Sequence, residues 1–173
     1  LFGQNMQHFD AHVYVSALGR RMATVRLTDP PALIMDGGLV QSPNPEFDFW
    51  AAYAMHQATS GGALLDAMDD AETEALFRAL CDASPESVRA QALKKLIAKK
   101  LPRSDRKLFK DGVPFKSPAW AGFRKALDTR AACVAAILSA SPNVALTAFP
   151  DDEELQRFIL SDTYVRLLKL YWR

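Results

Sequence analysis

Apolar and polar residues follow two different periods along the chain. Near the N-terminus the period is two residues, as in β-strands, and the runs are short and rich in β-branched and aromatic residues. Glycine and proline residues separate these runs, as expected of turns. The pattern predicts three short strands that form a small antiparallel sheet, at residues 12–17, 23–28 and 32–35.

Beyond residue 45 the apolar spacing becomes that of amphipathic helices. Asn44 is the predicted N-cap of the first helix, Pro45 occupies its first turn, and the helix stops at Ser60-Gly61-Gly62. Its apolar stripe is wide, so we expect this helix to be deeply buried. Predicted helices cover residues 45–59, 63–82, 85–100, 104–110, 118–140, 143–149 and 151–171, the last interrupted near Ser161.

The predicted fold class is therefore α+β, mainly helical with a small N-terminal antiparallel sheet. We expect the central helix 45–59 to pack against the long helix 118–140. A chain of 173 residues suits one domain with its own core. Since the chain begins with Leu1 and shows no signal-peptide pattern, we interpret residues 1–11 as a linker remnant. Residues 12–173 are then one helical domain, part of a longer chain.

Composition argues against several function classes. The formal net charge is +1, so no global field attracts the chain to nucleic acid or an anionic membrane. No apolar run approaches the roughly 18 residues that a membrane span needs. Cys81 and Cys133 lack the spacing of a metal site or disulfide framework, and we expect both to be reduced and half-buried. The expected localisation is cytoplasmic.

The three histidines form no helical metal-binding pair. Such a pair needs two histidines four residues apart, whereas Ala52 and Ser60 are the residues four positions from His56. We interpret His56 as a partly buried, hydrogen-bonded histidine. Neither a Gly-x-Ser-x-Gly nucleophile motif nor a phosphate-binding loop occurs. The sequence therefore predicts a protein that is not an enzyme and carries no cofactor.

A cluster of acidic residues follows the central helix. It lacks the ligand spacing and the central glycine of a calcium-binding loop. We interpret it as a loop and the solvated first turn of a helix, where carboxylates suit the helix dipole. Its members are Asp66, Asp69, Asp70, Glu72 and Glu74.

A basic segment spans residues 89–110, with Asp105 as its one acidic residue. One interpretation is the solvated face of a helix whose other side, formed by Leu93, Leu96 and Ile97, faces the core. The alternative is a surface for nucleic acid or an acidic partner. Its residues would be Lys94, Lys95, Lys99, Lys100, Arg103, Arg106 and Lys107.

Residues 12–56 resemble a known family. The runs 12–15, 23–25 and 31–39, followed by the helix that ends at His56, are similar to the front of gluzincin zinc metallopeptidases of the HtpX and prenyl-protein endopeptidase type. In that family a small sheet precedes a helix bearing His-Glu-x-x-His. A second long helix carries Glu-x-x-x-Asp, whose glutamate is the third zinc ligand, and residues 123–132 resemble it. The resemblance implies a zincin-like packing of the two helices.

The family's zinc site does not carry over to this sequence. If His56 takes the second histidine position, Ala52 takes the first and Tyr53 that of the catalytic glutamate. Lys125 then falls at the ligating glutamate and Thr129 at the aspartate, and a lysine would repel the metal. The resemblance implies a degenerate, metal-free relative, such as occurs beside helical repeats in large bacterial proteins. The cleft that holds zinc in the family would lie around Tyr53, His56 and Lys125 here. The sequence does not decide whether this region is a binding surface or filled core.

The expected function is that of a pseudoenzyme: a non-catalytic scaffold or protein-interaction module. Its partners would be proteins or other domains of a larger chain. Two alternatives remain. One is a nucleic-acid-binding domain that uses the basic segment 89–110. The other is an active zinc peptidase with an unorthodox ligand set that includes His56.

Overall fold

The computed structural model describes residues 11–17, 22–40, 44–82, 84–103, 105–106 and 119–172. The strands are β1 (His12–Ser16), β2 (Ala23–Arg26) and β3 (Ala32–Asp36). The helices are α1 (Gly37–Val40), α2 (Pro45–Ser60), α3 (Gly62–Asp66), α4 (Asp70–Cys81), α5 (Val88–Lys100), α6 (Ala119–Leu138), α7 (Pro142–Ala148), α8 (Glu153–Ile159) and α9 (Asp162–Tyr171). The predicted α+β class, mainly helical with an N-terminal sheet, is confirmed.

The chain divides into two compact units. Unit 1 comprises residues 1–67 and 125–173, and unit 2 comprises residues 68–124. The predicted linker remnant, apart from Ala11, lies outside the described residues, as does most of the predicted helix 104–110. Among the helices that the structure does describe, none combines the length and apolar content that crossing a bilayer requires.

The sheet is mixed, so the prediction of a wholly antiparallel sheet is wrong. Its strand order is β1-β3-β2. Strand β2 runs antiparallel to β3, whereas β1 runs parallel to it, with His12 opposite Ala32. Four of the five residues of β3 are buried, and a strand that is buried along nearly its whole length belongs between two neighbours. Because β3 takes the centre, β1 pairs with β3 instead of β2.

Helix α2 has the ends that its sequence predicted. The Asn44 side chain accepts a hydrogen bond from the Phe47 backbone N–H at 2.8 Å, and Pro45 follows in the first turn. Gly61 ends the helix at φ +87°, a left-handed conformation that glycine adopts without steric cost. Capping at both ends therefore fixes where the helix starts and stops.

Helix α2 is buried on two sides, which explains its wide apolar stripe. One side places Ala54 against Leu33 and Met35 of β3. The other side places Phe49 and Ala52 in a core shared with alanines of α6, Ala132, Ala135 and Ala136. The predicted packing of the central helix against the long helix is thus confirmed.

The predicted helix 63–82 is two helices, α3 and α4, so that prediction is wrong. The cause is a capping box at Asp69, whose carboxylate accepts from the Glu72 N–H at 2.7 Å. The Glu72 carboxylate accepts in return from the Asp69 N–H at 3.3 Å. The interpretation of the acidic cluster as a loop and a first helical turn is confirmed for Asp69, which caps α4, and for Asp70 and Glu72 in its first turn. It is wrong for Asp66, which is the last residue of α3.

Two further helix boundaries depend on serine caps. The Ser87 hydroxyl accepts from the Ala90 N–H at 3.0 Å, so α5 begins at Val88 and not at residue 85 as predicted. The Ser161 hydroxyl accepts from the Tyr164 N–H at 3.3 Å and starts α9. The predicted interruption near Ser161 is therefore confirmed.

Candidate functional site

Three polar side chains join α2 to α6 within unit 1. Tyr53 and Gln57 lie one turn apart on α2, and Asp128 lies on α6. The Tyr53 hydroxyl donates to Asp128 Oδ1 at 3.2 Å. The Gln57 amide nitrogen donates to the same oxygen at 2.6 Å and to the Tyr53 hydroxyl at 3.0 Å. Together these bonds form a closed triangle across the helix–helix contact.

The environment keeps the Tyr53 hydroxyl neutral. Burial, and after it the negative charge of Asp128, raises the pKa of Tyr53 far above its usual value near 10. Its ring packs against those of Trp50 and Phe149, with centroid distances of 5.4 and 5.5 Å. Tyr53 is thus a hydrogen-bond donor surrounded by aromatic rings.

The other α2 positions that resemble the metallopeptidase site are buried. Ala52 is 8% exposed and belongs to the core shared with α6. His56 is 7% exposed, and burial followed by the positive charge of Arg130 lowers its pKa. An imidazole with a lowered pKa is neutral near pH 7.

The two α6 positions differ from each other. Lys125 is exposed. Thr129 is buried, and its hydroxyl donates to the carboxylate of Asp152, which is the N-cap of α8. The other oxygen of Asp152 accepts from the Leu155 N–H at 3.0 Å. Thr129 therefore fixes the start of α8 against α6.

Sequence reasoning identified Tyr53 but missed Gln57 and Asp128. The Tyr53–Gln57 pair did carry a signal, because residues four apart on a helix share a face, and this face is otherwise apolar. Asp128 lies 71 residues after Gln57, and no local pattern joins the two. These bonds use the one hydroxyl hydrogen of Tyr53 and the two amide hydrogens of Gln57.

No three His, Cys, Asp or Glu side chains within the described parts of the chain lie close enough together to hold a metal ion. Both cysteines are free and half-buried, as predicted. Burial, and then the charges of Asp152 and Glu154, raises the pKa of Cys133 to about 11. Burial likewise raises the pKa of Cys81. Neither thiol has the lowered pKa of a reactive cysteine.

The basic residues of α5 and the turn after it lie mostly on the surface of unit 2. Lys94 is half-buried, and its amine donates to the Asp82 carbonyl at 2.6 Å. Lys107 lies outside the described residues. Leu96 is 56% exposed, so the prediction that it faces the core is wrong. The side of α5 that packs against α4 carries Leu93 and Ile97 instead. Of the residues predicted for this surface, Lys95, Lys99, Lys100, Arg103 and Arg106 are exposed.

A groove of about 300 Å³ lies between β2 and helices α2 and α3, within unit 1. Its floor is formed by buried residues, Ala54, Gln57 and Ala63. Exposed residues on its rim include Arg26 on the strand side and Asp66 on the helix side.

Strand β1 forms one edge of the sheet and is exposed on both faces. Val13, Tyr14 and Val15 are 61, 53 and 59% exposed. Successive residues of a strand point to opposite faces, so exposure at three consecutive positions means that the described residues leave both faces largely uncovered there. No protein-family model, curated protein or solved structure matches the chain.

Proposed function

We propose that the protein is a non-catalytic protein-interaction module that binds an extended polypeptide segment along β1. It would act as a scaffold in the cytoplasm of a bacterium, as a metal-free relative of the metallopeptidases that it resembles. The partner would be another protein or another domain of a larger chain. The observation that carries this proposal is the exposure of large apolar side chains on the edge strand β1.

Edge strands carry unpaired backbone groups, and proteins usually protect them with lysine, proline or a bulge. The sequence of β1, His-Val-Tyr-Val-Ser, contains neither lysine nor proline. The His12 N–H donates to the Pro31 carbonyl at 3.0 Å. Since alternate residues of a strand point their N–H groups to opposite sides, those of Val13 and Val15 face the free edge. An extended partner would pair with these groups.

The helix contact between α2 and α6 supports the non-catalytic part of the proposal. Ala52 has no ligating atom, and the Tyr53 hydroxyl is bonded to Asp128. Thr129 is bonded to the N-cap of α8. These polar groups stabilise the packing of unit 1, and the two free cysteines fit a reducing compartment.

Site-specific photocrosslinking tests the interaction surface. A p-benzoylphenylalanine replaces Tyr14 in one sample and Tyr171, which is 44% exposed on α9, in a control sample. Irradiation in host cells should give a discrete adduct from position 14 that position 171 does not give. Val15→Pro removes an outward N–H and should abolish that adduct while the far-ultraviolet circular dichroism stays unchanged.

An adduct at twice the mass of the chain would identify a second copy as the partner. Equal adducts from both positions, or none from position 14, would contradict the proposal. An adduct that persists in Val15→Pro would rule out pairing along the β1 edge.

A nucleic-acid-binding function is the second candidate, favoured by the exposed cationic residues Lys95, Lys99, Lys100, Arg103 and Arg106 of α5 and the turn after it. Binding through phosphate contacts weakens steeply as salt rises. If this function holds, Lys95→Glu combined with Lys99→Glu and Lys100→Glu should abolish salt-dependent binding to single-stranded RNA. Binding that survives the triple charge reversal would exclude this surface.

A further inference from the structure

Helix α5 of unit 2 presents one side to α4 and the opposite side to solvent. Ala90, Leu93 and Ile97 form the side that packs against α4. The opposite side carries two adjacent rows of exposed residues, and the members of each row are four positions apart, as on one face of a helix. We call these rows the outer face of α5; they are Val88, Ala92, Leu96 and Lys100, and Gln91, Lys95 and Lys99.

The positive charge of the outer face is not neutralised by the residues that the structure describes. Residues 87–103 contain no aspartate or glutamate. The side chains of Lys95, Lys99 and Lys100, and that of Arg103 just after the helix, form no ion pair or hydrogen bond with any described residue. Four neighbouring cations without acidic partners produce a local positive field, although the whole chain is nearly neutral.

Aliphatic side chains lie among these charges. Val88 is 83% exposed and Leu96 is 56% exposed. Both belong to the first row, with the exposed Ala92 between them. Single exposed apolar residues are common on protein surfaces. Here they share one row beside Lys95 and Lys99, so the outer face combines fixed positive charge with aliphatic surface.

Two kinds of polyanion match this charge, single-stranded nucleic acid and an anionic lipid bilayer. Nucleic-acid bases stack on aromatic rings, and the outer face contains no aromatic residue. A bilayer offers phosphates to the lysines and, just below them, hydrocarbon to aliphatic side chains. The exposed Val88 and Leu96 therefore favour the bilayer.

We propose that the outer face of α5 binds the surface of an anionic phospholipid bilayer, with its lysines and Arg103 at the lipid phosphates and Val88 and Leu96 at the start of the acyl chains. Each cation next to such a surface strengthens binding by about fivefold. The outer face belongs to unit 2 and β1 to unit 1, so the failure of either proposal leaves the other untouched.

Co-sedimentation of the whole protein with vesicles tests the proposal. Vesicles of equal parts phosphatidylglycerol and phosphatidylcholine are anionic, and vesicles of phosphatidylcholine alone are the neutral control. We expect the protein to bind the anionic vesicles at least about tenfold more tightly than the neutral ones. This binding should weaken as salt rises, because salt screens the charges.

Two variants separate the contribution of charge from that of aliphatic contact. Lys95→Glu combined with Lys99→Glu and Lys100→Glu should weaken binding to anionic vesicles by at least about a hundredfold, since three cations are lost. Leu96→Ser keeps every charge and should weaken binding by about threefold or more, because the serine side chain gains nothing from hydrocarbon. Leu160→Ser, at a residue of unit 1 that is 85% exposed, is the matched control and should change nothing.

Leu96→Ser also decides between the two polyanions, because binding through phosphate contacts alone does not depend on an aliphatic side chain. Vesicle binding that is the same in Leu96→Ser and in the unsubstituted protein would overturn the proposal. Equal binding to neutral vesicles, or no binding to anionic ones, would do so too. Any of these results together with salt-dependent binding of polyuridylic acid would assign the outer face to nucleic acid.

Discussion

At the scale of single residues, the polar side chains between α2 and α6 stabilise the helix contact. Tyr53, Gln57 and Asp128 form hydrogen bonds with one another inside a helix contact that is otherwise apolar. A buried polar group is stable only while its partners remain. The residues of this contact therefore give the most direct predictions about stability.

Replacing Tyr53 by phenylalanine should lower the free energy of unfolding by about 1–2 kcal/mol. The change deletes the hydroxyl that donates to Asp128 and accepts from Gln57, and leaves the aromatic packing in place. Urea denaturation measures the difference. Tyr171→Phe, at an exposed position, is the matched control and should change stability little. Equal stability of the two variants would contradict a structural role for Tyr53.

His56 should make stability depend on pH. Its pKa in the folded protein lies below the unfolded value of about 6.5. As pH falls, the unfolded chain takes up the proton first, so stability is full above that value and decreases below it. The loss in unfolding free energy between about pH 7.5 and about pH 5.5 should be larger in the unsubstituted protein than in His56→Gln. The same loss in both proteins would refute this assignment.

Local sequence identified some residues of the candidate site and not others. Tyr53 and His56 were found because they occupy positions in a helix that resembles a known motif. Asp128 was missed because its role depends on which turn of α6 faces α2, and that register comes from tertiary packing of residues 71 positions apart. Thr129 was found as a position, but its bond to Asp152 depends on the same packing.

At the scale of elements, caps and turns decide where the chain changes direction. Asn44 and Gly61 mark the ends of α2 through local chemistry, and sequence alone located both. The capping box at Asp69 was overlooked because apolar spacing continues on both sides of it. The strand order was also missed, since the pairing of β1 with β3 joins residues separated by a whole strand. A pairing between strands that are not neighbours in the sequence produces no local sequence pattern that would predict it.

Gly62 of α3 lies directly against the Gln57 side chain of α2. A Cβ built on Gly62 would lie 1.4 Å from Gln57 Oε1, and the Gln57 amide is held by Asp128. Gly62→Ala should therefore destabilise the protein by about 1–3 kcal/mol, despite the better helix propensity of alanine. Thermal denaturation would show this as a lower melting temperature.

The matched control is Gly122→Ala in α6, where nothing lies within 4 Å of an added Cβ. It should stabilise the protein by about 0.5–1 kcal/mol, because alanine has less conformational freedom to lose than glycine. A Gly62→Ala variant as stable as Gly122→Ala would show that Gln57 is not fixed in place.

At the scale of the whole molecule, the proposed activities fall on different parts of the chain. Unit 1 carries β1, the groove and the α2–α6 contact, and unit 2 carries the basic surface of α5. The α+β class and the α2–α6 packing followed from the apolar pattern, because that pattern records burial. The groove did not, since it depends on how β2, α2 and α3 meet.

The central claim is that the polar residues between α2 and α6 hold the helices together and hold no metal. Zinc content per chain, measured by mass spectrometry on protein purified without chelators, tests it most directly. The account predicts far less than one zinc per chain, both in the unsubstituted protein and in His56→Ala, because a lone histidine beside alanine and tyrosine cannot complete a zinc ligand set. One zinc per chain that disappears in His56→Ala would contradict it.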